Sequence, residues 1–199
     1  MSSDLRAIVP HRGLAASKSR LAGVLGDAER MDLARRLLAR VLAVVRDAVP
    51  DVVVISPDAD LEPIVTEAGA RLEVQRGLGL NAGLEQARAN AVREGVKALV
   101  VLHGDLPYLA VDDVRALADA VAARGVAVAP DRAGTGTNGL AERPLDSIPF
   151  RFGRGSFARH LAEAESRGLA LTVVRRPGLA FDLDTPDDLA EWLRVGDVA

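Results

Sequence analysis

Short apolar runs alternate along the chain with longer segments in which apolar residues recur every three or four positions. From Asp27 to Pro50 this spacing predicts one long amphipathic helix, with Asp27 as its N-terminal cap. Residues 98–102 are all apolar, as expected of a strand buried on both faces of a parallel sheet. Further strands are predicted at residues 7–10, 52–56, 71–75, 126–129, 171–174 and 179–183.

Further helices are predicted between these strands, bounded by residues that cap or stop helices. One spans 61–68 and stops at Gly69, and the last opens at Thr185 with Pro186 in its first position. The others end near residues 94, 124 and 167, and Ser156 caps the third of them. Residues 130–139 are polar and glycine-rich, which predicts a long loop.

This alternation of strands and helices predicts an α/β protein with a doubly wound, mostly parallel sheet. There is no internal repeat, low-complexity tract or linker, so residues 1–199 are expected to form one domain. Ligands of such sheets bind at the carboxyl ends of the strands, which directs attention to the loops that follow strands.

Composition excludes several classes of function. The chain has no cysteine, which rules out disulfides, cysteine-ligated zinc and a thiol nucleophile. Its 25 basic and 28 acidic residues nearly balance, which argues against nucleic acid as a partner. No apolar run approaches the ~20 residues of a membrane span, and the first residues lack a signal-peptide pattern. A cytoplasmic protein with no membrane partner is expected.

Gly134-x-Gly136-x-x-Gly139 fits the dinucleotide-binding fingerprint in letters but not in context. That fingerprint needs a strand that turns directly into a helix, with an acidic residue about 20 positions further on. Here the glycines follow the predicted strand by five or more residues, and the region about 20 positions on holds Arg154 and Gly155. We therefore reject this motif, and the chain contains no P-loop either.

Three acidic residues are candidate metal ligands. Asp105 follows the most apolar strand, and Asp182 and Asp184 lie two apart, so that in an extended segment both would point to one face. Carboxylates without histidine or cysteine partners suit Mg²⁺. Two alternatives stay open: Asp105 as a turn-stabilising residue, and Asp184 as a solvated acid before the Thr185 cap.

Candidate anion-binding residues lie in two parts of the chain. Lys18 and Arg20 follow the first strand, and Lys18 is one of only two lysines among the 25 basic residues. The second group comprises Thr137, Asn138, Gly153 and Ser156, and Ser156 begins a helix whose N-terminus favours a phosphate or carboxylate. A plain helix cap is the alternative for Ser156, and a structural role is favoured for His160. Anion-binding groups and carboxylates without an obvious nucleophile indicate phosphoryl or nucleotidyl transfer.

The motifs together resemble a known family. In order, they are Pro10, Lys-Ser-Arg-Leu at 18–21, Gly-Leu-Asn at 79–81, Gly-Asp-Leu-Pro at 104–107, Thr-Asn at 137–138, Phe-Gly-x-Gly-Ser-Phe-x-x-His at 152–160 and Asp-Leu-Asp-Thr-Pro-Asp-Asp-Leu at 182–189. The set is similar to that of the CofC/FbiD guanylyltransferases of deazaflavin coenzyme F-420 biosynthesis. The resemblance extends from about residue 8 to residue 192.

The resemblance implies a Rossmann-like fold of the nucleotide-diphospho-sugar transferase type and a reaction of GTP with a phosphorylated three-carbon acid. The products would be a guanosine diphosphate-linked acid, passed to a downstream deazaflavin transferase, and pyrophosphate. By similarity, Mg²⁺ would be held by Asp105, Asp182 and Asp184. The remaining roles would be triphosphate contacts for Lys18 and Arg20, acceptor-phosphate contacts around Thr137, Asn138, Gly153 and Ser156, and nucleotide contacts for Gly79, Leu80 and Asn81.

Several alternatives remain at this point. The acceptor implied by the resemblance is phosphoenolpyruvate, 2-phospho-L-lactate or 3-phosphoglycerate. The arginine-rich, lysine-poor composition is typical of a GC-rich bacterium, and bacterial members of the family favour phosphoenolpyruvate. Residues 11–14 are a poor copy of the longer glycine-rich loop that opens related nucleotidyltransferases, and only one acid ends the strand before Leu106. A nucleotidyltransferase with another acceptor, a glycosyltransferase and a non-catalytic nucleotide-binding protein are the competing interpretations. Monomer and homodimer are both open.

Overall fold

A computed structural model gives the structure of the protein and describes residues 4–121 and 123–196. Within them one sheet has seven strands in the order β3-β2-β1-β4-β6-β5-β7. The strands are β1 Leu5–Pro10, β2 Val52–Ser56, β3 Arg71–Val74, β4 Ala98–Leu102, β5 Gly125–Pro130, β6 Thr137–Arg143 and β7 Leu171–Val173. The helices are α1 Asp27–Ala48, α2 Glu62–Glu67, α3 Leu80–Arg93, α4 Val111–Asp119, α5 Ser156–Ser166, α6 Pro177–Ala180 and α7 Pro186–Gly196.

The sheet is mostly parallel and doubly wound, as predicted. Strands β1 to β4 pair in parallel, as do β5 and β7, and β6 alone in the described sheet runs antiparallel to its neighbours β4 and β5. The strand order reverses at β1, which lies between β2 and β4. The carboxyl ends of β1 and β4 therefore define the crevice in which sheets of this type bind ligands.

Helices cover both faces of the sheet. Alternate residues of β1 point to opposite faces, so that Ala7 and Val9 belong to one core cluster and Ile8 to the other. The first cluster packs α1, α2 and α4 against the sheet, and the second packs α3 and α5. Among the described residues no helix is both long and apolar enough to span a bilayer.

A third apolar cluster fixes one wall of the crevice. It comprises Leu21, Leu33, Leu37, Phe181 and Leu183, all buried. Because Phe181 and Leu183 are packed against α1, the alternating residues at 182 and 184 are held at the crevice.

Two predicted elements are wrong. Residues 137–139, predicted as loop, begin β6, in which Thr137, Asn138 and Glu142 are buried. Glu142 is 0% exposed and lies 3.2 Å from Nε of the buried Arg88. Because its polar groups are paired inside the protein, a strand with a polar sequence can be buried. Residues 179–183, predicted as a strand, are instead the end of α6 and an irregular segment, because Pro177 favours a helical turn at its N-terminus.

Three helix boundaries also differ from the prediction. Gly26 and Gly155 occupy the cap positions of α1 and α5, so Asp27 and Ser156 are first helical residues and not caps. Helix α4 ends at Asp119, five residues before the predicted end. The Thr185 cap is confirmed, because its Oγ1 accepts from the backbone N–H of Asp188 at 3.3 Å.

Candidate functional site

A cleft of about 790 Å³ opens at the carboxyl ends of β1 and β4. His11 follows β1 and Asp105 follows β4, and the other walls come from the segments 131–138, 153–156 and 182–184. Ten of the predicted site residues line this cleft: Lys18, Arg20, Leu80, Asp105, Thr137, Asn138, Gly153, Ser156, Asp182 and Asp184. Residues separated by up to 166 positions in sequence are thus brought to one edge of the sheet.

Two predicted nucleotide-binding residues do not line the cleft. Gly79 precedes α3 with a φ of 85°, and its carbonyl accepts from Nε2 of Gln75 at 2.9 Å. Asn81 donates from Nδ2 to the carbonyl of Phe152 at 3.1 Å, and its Oδ1 accepts from the N–H of Phe152 at 2.9 Å. Asn81 therefore joins the start of α3 to the 152–156 segment, and Leu80 is the member of this motif that reaches the cleft.

Lys18 contacts the candidate metal ligands directly. Its backbone is left-handed, with a φ of 56°, and its side chain is only 5% exposed. Nζ lies 2.7 Å from Oδ2 of Asp105, 2.6 Å from the carbonyl of Leu183 and 3.3 Å from Oδ1 of Asp184. Lys18 therefore bridges the end of β4 and the 182–184 segment.

Arg20 lies further out. Its Nη1 is 3.2 Å from Oδ2 of Asp184, and its side chain is 72% exposed. Lys18 and Arg20, the two cations predicted to contact a triphosphate, thus both contact Asp184. Lys18 is the inner, buried cation and Arg20 is the outer, solvated one.

The acids have opposite electrostatic environments. Burial disfavours ionisation of Asp105, but the positive charge and the hydrogen bond of Lys18, together with the nearby His103 and His11, outweigh burial and hold the pKa of Asp105 below its usual value. Burial raises the pKa of Asp182, and the negative charge of Asp105 raises it further. Burial alone would lower the pKa of Lys18, but Asp105 and Asp184 raise that pKa above its usual value. Lys18 is therefore a charged ammonium, and a cation beside Asp182 would favour the ionised form of that acid.

The donor set suits a hard divalent cation, although the side chains do not yet surround one. Within residues 4–121 and 123–196 no three carboxylate or imidazole groups converge on a point as a ready-made metal site. However, Oδ1 of Asp105 is buried and has no hydrogen-bond partner among the described residues. Within the described part of the chain, Asp105 thus keeps one acceptor oxygen without a partner although Lys18 contacts the other, and burial disfavours the charge of Asp182. Carboxylate oxygens are the ligands that Mg²⁺ prefers. The chemistry of these oxygens is therefore compatible with Mg²⁺, although Lys18 contacts two of the three acids.

Asn138 was predicted to bind substrate, but its amide is used within the protein. Nδ2 donates to Oδ1 of Asp182 at 3.2 Å and to the carbonyl of Leu179 at 3.0 Å. The side chain is buried, as expected of a polar group whose donors are satisfied. Asn138 therefore orients Asp182 from the strand next to β4.

The other end of the cleft is suited to an anion. Gly153 and Gly155 have φ values of 115° and 70°, which favour glycine, and they turn the chain into the N-terminus of the 11-residue helix α5. Thr137 and Ser156 are buried and line the cleft beside this turn. The N–H of Ser156 donates to the carbonyl of Gly153 at 3.0 Å, so its hydroxyl is the group left for a ligand.

Some lining residues were not identified from the sequence. Asp131 orders the lip of the cleft, because its carboxylate accepts from the N–H groups of Thr135 and Gly136, each at 2.8 Å. An Asp that opens a glycine-rich loop is the sequence signal for such a turn. Other lining residues that were not identified include two histidines and two arginines: His11, Arg12, His103 and Arg154.

Comparison with known proteins gives a consistent result. The family model described as "Guanylyl transferase CofC like" matches residues 5–198. A phosphoenolpyruvate guanylyltransferase of Sphaerobacter thermophilus is 46% identical over 187 residues, which cover 93% of this chain and 90% of that protein. A 3-phospho-D-glycerate guanylyltransferase of Phenylobacterium zucineum is 38% identical over 196 residues, covering 94% and 89%.

The fold has counterparts among solved structures. A putative nucleotide-diphospho-sugar transferase from Desulfovibrio desulfuricans G20 superposes with a TM-score of 0.81 over 98% of this chain and 88% of that one, at 20% identity. This likeness confirms the predicted nucleotide-diphospho-sugar transferase-like fold. The family match over nearly the whole described chain goes further, and the chain belongs to the CofC-like guanylyl transferase family.

Proposed function

We propose that this protein transfers GMP from GTP to the phosphate of phosphoenolpyruvate and releases pyrophosphate. One observation carries the proposal: the same cleft has two chemically different ends. At one end a cluster of acids contacts Lys18, and at the other a turn suited to an anion leads into α5. A nucleotidyl transfer needs both ends, one for the triphosphate with its metal and one for the acceptor phosphate. The relative that is 46% identical is a phosphoenolpyruvate guanylyltransferase, which supports both the reaction and this acceptor.

In the proposed reaction an oxygen of the acceptor phosphate attacks the α-phosphorus of GTP. The bond from that phosphorus to the bridging oxygen of the β-phosphate breaks, and its electron pair leaves with pyrophosphate. The acceptor phosphate is already an anion at neutral pH, so no general base has to remove a proton. This agrees with a cleft in which His11 is partly buried and the pKa of its imidazole is lowered to about 4, mainly by removal from solvent.

The residues of the chain would then position charge rather than take part covalently. Thr137, Gly153 and Ser156 would bind the acceptor phosphate through the hydroxyls and the turn at α5. Lys18 and Arg20 would contact the triphosphate and stabilise the departing pyrophosphate. Asp105, Asp182 and Asp184 would hold Mg²⁺, and the metal would supply neutralisation of the phosphate charge.

The setting of the reaction follows from the same proposal. GTP and phosphoenolpyruvate are metabolites of the cytoplasm, where we place the protein. The product would be consumed by a transferase that moves the phospho-acid to a deazaflavin in coenzyme F-420 biosynthesis. A 3-phosphoglycerate acceptor is the second candidate, because a 38% identical relative carries that activity, and 2-phospho-L-lactate is the third.

The test is pyrophosphate release from GTP and Mg²⁺ with each of the three acids in a separate reaction. A reaction without acid measures GTP hydrolysis, and a set with ATP measures nucleotide selectivity. Release that requires phosphoenolpyruvate and GTP supports the proposal, whereas release with another acid reassigns the acceptor. If no acid gives release, even with the downstream transferase and its deazaflavin to consume a labile product, guanylyl transfer to these acids is wrong.

A further inference from the structure

His160 is a buried histidine that the proposed reaction does not use. It lies in α5, is 0% exposed, and its ring packs edge-on against Phe152 with centroids 4.9 Å apart. Both ring nitrogens have partners: Nδ1 is 3.0 Å from Oγ1 of Thr137, and Nε2 is 3.0 Å from the backbone N of Arg151. A histidine that only filled space would not need two directed contacts.

These contacts define which nitrogen carries the proton. The backbone N–H of Arg151 is a donor only, so Nε2 must accept and has no hydrogen. Burial lowers the pKa of His160 to about 4, so the ring is neutral near pH 7 and its one proton is on Nδ1. Nδ1–H therefore donates to Oγ1 of Thr137.

The direction of that bond determines what the Thr137 hydroxyl can do. A hydroxyl has one proton to donate and two lone pairs to accept with. Since His160 donates to Thr137, the hydroxyl keeps its own proton for a second partner, and Thr137 lines the cleft near Gly153 and Ser156. A phosphate oxygen carries only lone pairs, so it requires such a donor.

We propose that His160 is a positioning residue that sets the Thr137 hydroxyl as a hydrogen-bond donor to the anionic acceptor. Its second contact, to the N–H of Arg151, also anchors the chain just before the turn that carries Gly153 and Ser156. One buried ring thus connects two walls of the anion-binding end of the cleft. This inference rests on the proposed function for the identity of the anion, but the proton position does not.

The first experiment determines which ring nitrogen of His160 carries the proton, and it requires no enzymatic activity. Ring ¹⁵N chemical shifts of histidine-labelled protein at about pH 7 separate protonated from unprotonated ring nitrogens. The chain has three histidines, and loss of one signal set in His160→Gln assigns that residue. We expect Nδ1 protonated and Nε2 unprotonated, whereas a protonated Nε2 would overturn the proposal even if every enzymatic assay succeeded.

The second experiment compares two conservative variants in steady-state kinetics. In His160→Asn the side-chain amide nitrogen occupies roughly the place of Nδ1 and retains a donor to Thr137. In His160→Gln the terminal oxygen occupies roughly the place of Nε2 and retains only the acceptor for Arg151. We expect the KM for the acceptor to rise about 10-fold or more in the glutamine variant and much less in the asparagine variant, with the KM for GTP unchanged in both.

Thr137→Val supplies the control for this comparison. If His160 acts through the Thr137 hydroxyl, adding His160→Gln to Thr137→Val should raise the acceptor KM no further. Equal changes in the two KM values, or additive effects in the double variant, would show that His160 merely supports packing and would overturn the proposal. If wild-type protein turns over no acid at all, the proposed function fails, and the ¹⁵N measurement still decides the proton position.

Discussion

The ammonium of Lys18 lies 2.7 Å from the carboxylate of Asp105, although 87 positions separate the two residues in sequence. The same ammonium contacts Asp184 and the carbonyl of Leu183, and it is nearly buried. It therefore supplies positive charge to acids that are expected to bind a metal when substrate is present. Binding of Mg²⁺ with GTP would need Lys18 to exchange part of this contact for the triphosphate.

This arrangement predicts different consequences for the inner and outer cations. Lys18→Met removes a buried charge and leaves Asp105 with a lone negative charge, so we expect a loss of about 3 kcal/mol in the free energy of unfolding. We also expect pyrophosphate release to fall by about 10²-fold or more, since the transition-state charge loses a fixed partner. Urea unfolding and the release assay measure these two effects.

Arg20→Met is the matched control, because Arg20 pairs with Asp184 but is 72% exposed. Exposed ion pairs contribute about 0–1 kcal/mol, so the stability of this variant should match that of wild type. Equal destabilisation by the two substitutions would contradict the buried role that we assign to Lys18.

Asp182→Asn separates catalysis from folding. Asn keeps an oxygen that can accept from Asn138, so the local hydrogen bond survives, and the repulsion from Asp105 disappears. We therefore expect an unchanged or slightly higher melting temperature and turnover reduced about 10²-fold or more. Binding of Mn²⁺, followed by electron paramagnetic resonance, should weaken in the same variant.

The control for Asp182→Asn is Asp187→Asn, which changes an exposed acid in the first turn of α7. It alters the net charge by the same amount but lies outside the residues that line the cleft. Near wild-type turnover in Asp182→Asn, or an equal loss in Asp187→Asn, would remove Asp182 from the proposed metal site.

The sequence was sufficient to predict β2 and β4 because both strands are apolar runs. All five residues of β2 and of β4 are buried, and such strands need no alternation to be recognised. Strand β6 escaped recognition because Glu142 and Asn138 are buried with partners that come from distant parts of the chain. A polar side chain indicates an exposed position only where the fold supplies no buried partner for it.

The site shows the same limit. Asp105 could be placed by its position after an apolar strand, because the carboxyl edge of the sheet follows from the fold class. The contact between Lys18 and Asp105 could not, because it depends on a left-handed backbone at Lys18 and on packing of Leu183 against α1. Asn138 was selected as a binding residue by its motif, and its contact with Asp182 became visible only in three dimensions.

Asn138 provides a prediction about that contact. Asn138→Ala removes the donor to Asp182 and to the Leu179 carbonyl, which leaves buried acceptors unpaired and should cost about 1–3 kcal/mol of stability. Asn138→Asp instead places a third carboxylate beside Asp182 and Asp105. We expect a larger loss of turnover in the aspartate variant than in the alanine variant, and the reverse order in the release assay would show that Asn138 contacts substrate instead.

The stability of the protein should also depend on pH through its buried histidines. Burial lowers the pKa of His160 to about 4 from its ordinary value near 6.5, so between these values the unfolded chain binds a proton that the folded chain does not. Stability therefore rises with pH across this window and is lost as the pH falls towards 4, by about 3 kcal/mol at most for one such group.

Urea unfolding of wild type and of His160→Gln at several pH values between about 4 and 7 measures the slope of the unfolding free energy against pH. We expect a smaller slope in the variant, with the remainder due partly to His11, whose pKa is lowered to about 4 in the same way. Identical slopes would mean that His160 gains its proton as readily in the folded protein as in the unfolded chain, which a ring accepting from the N–H of Arg151 cannot do.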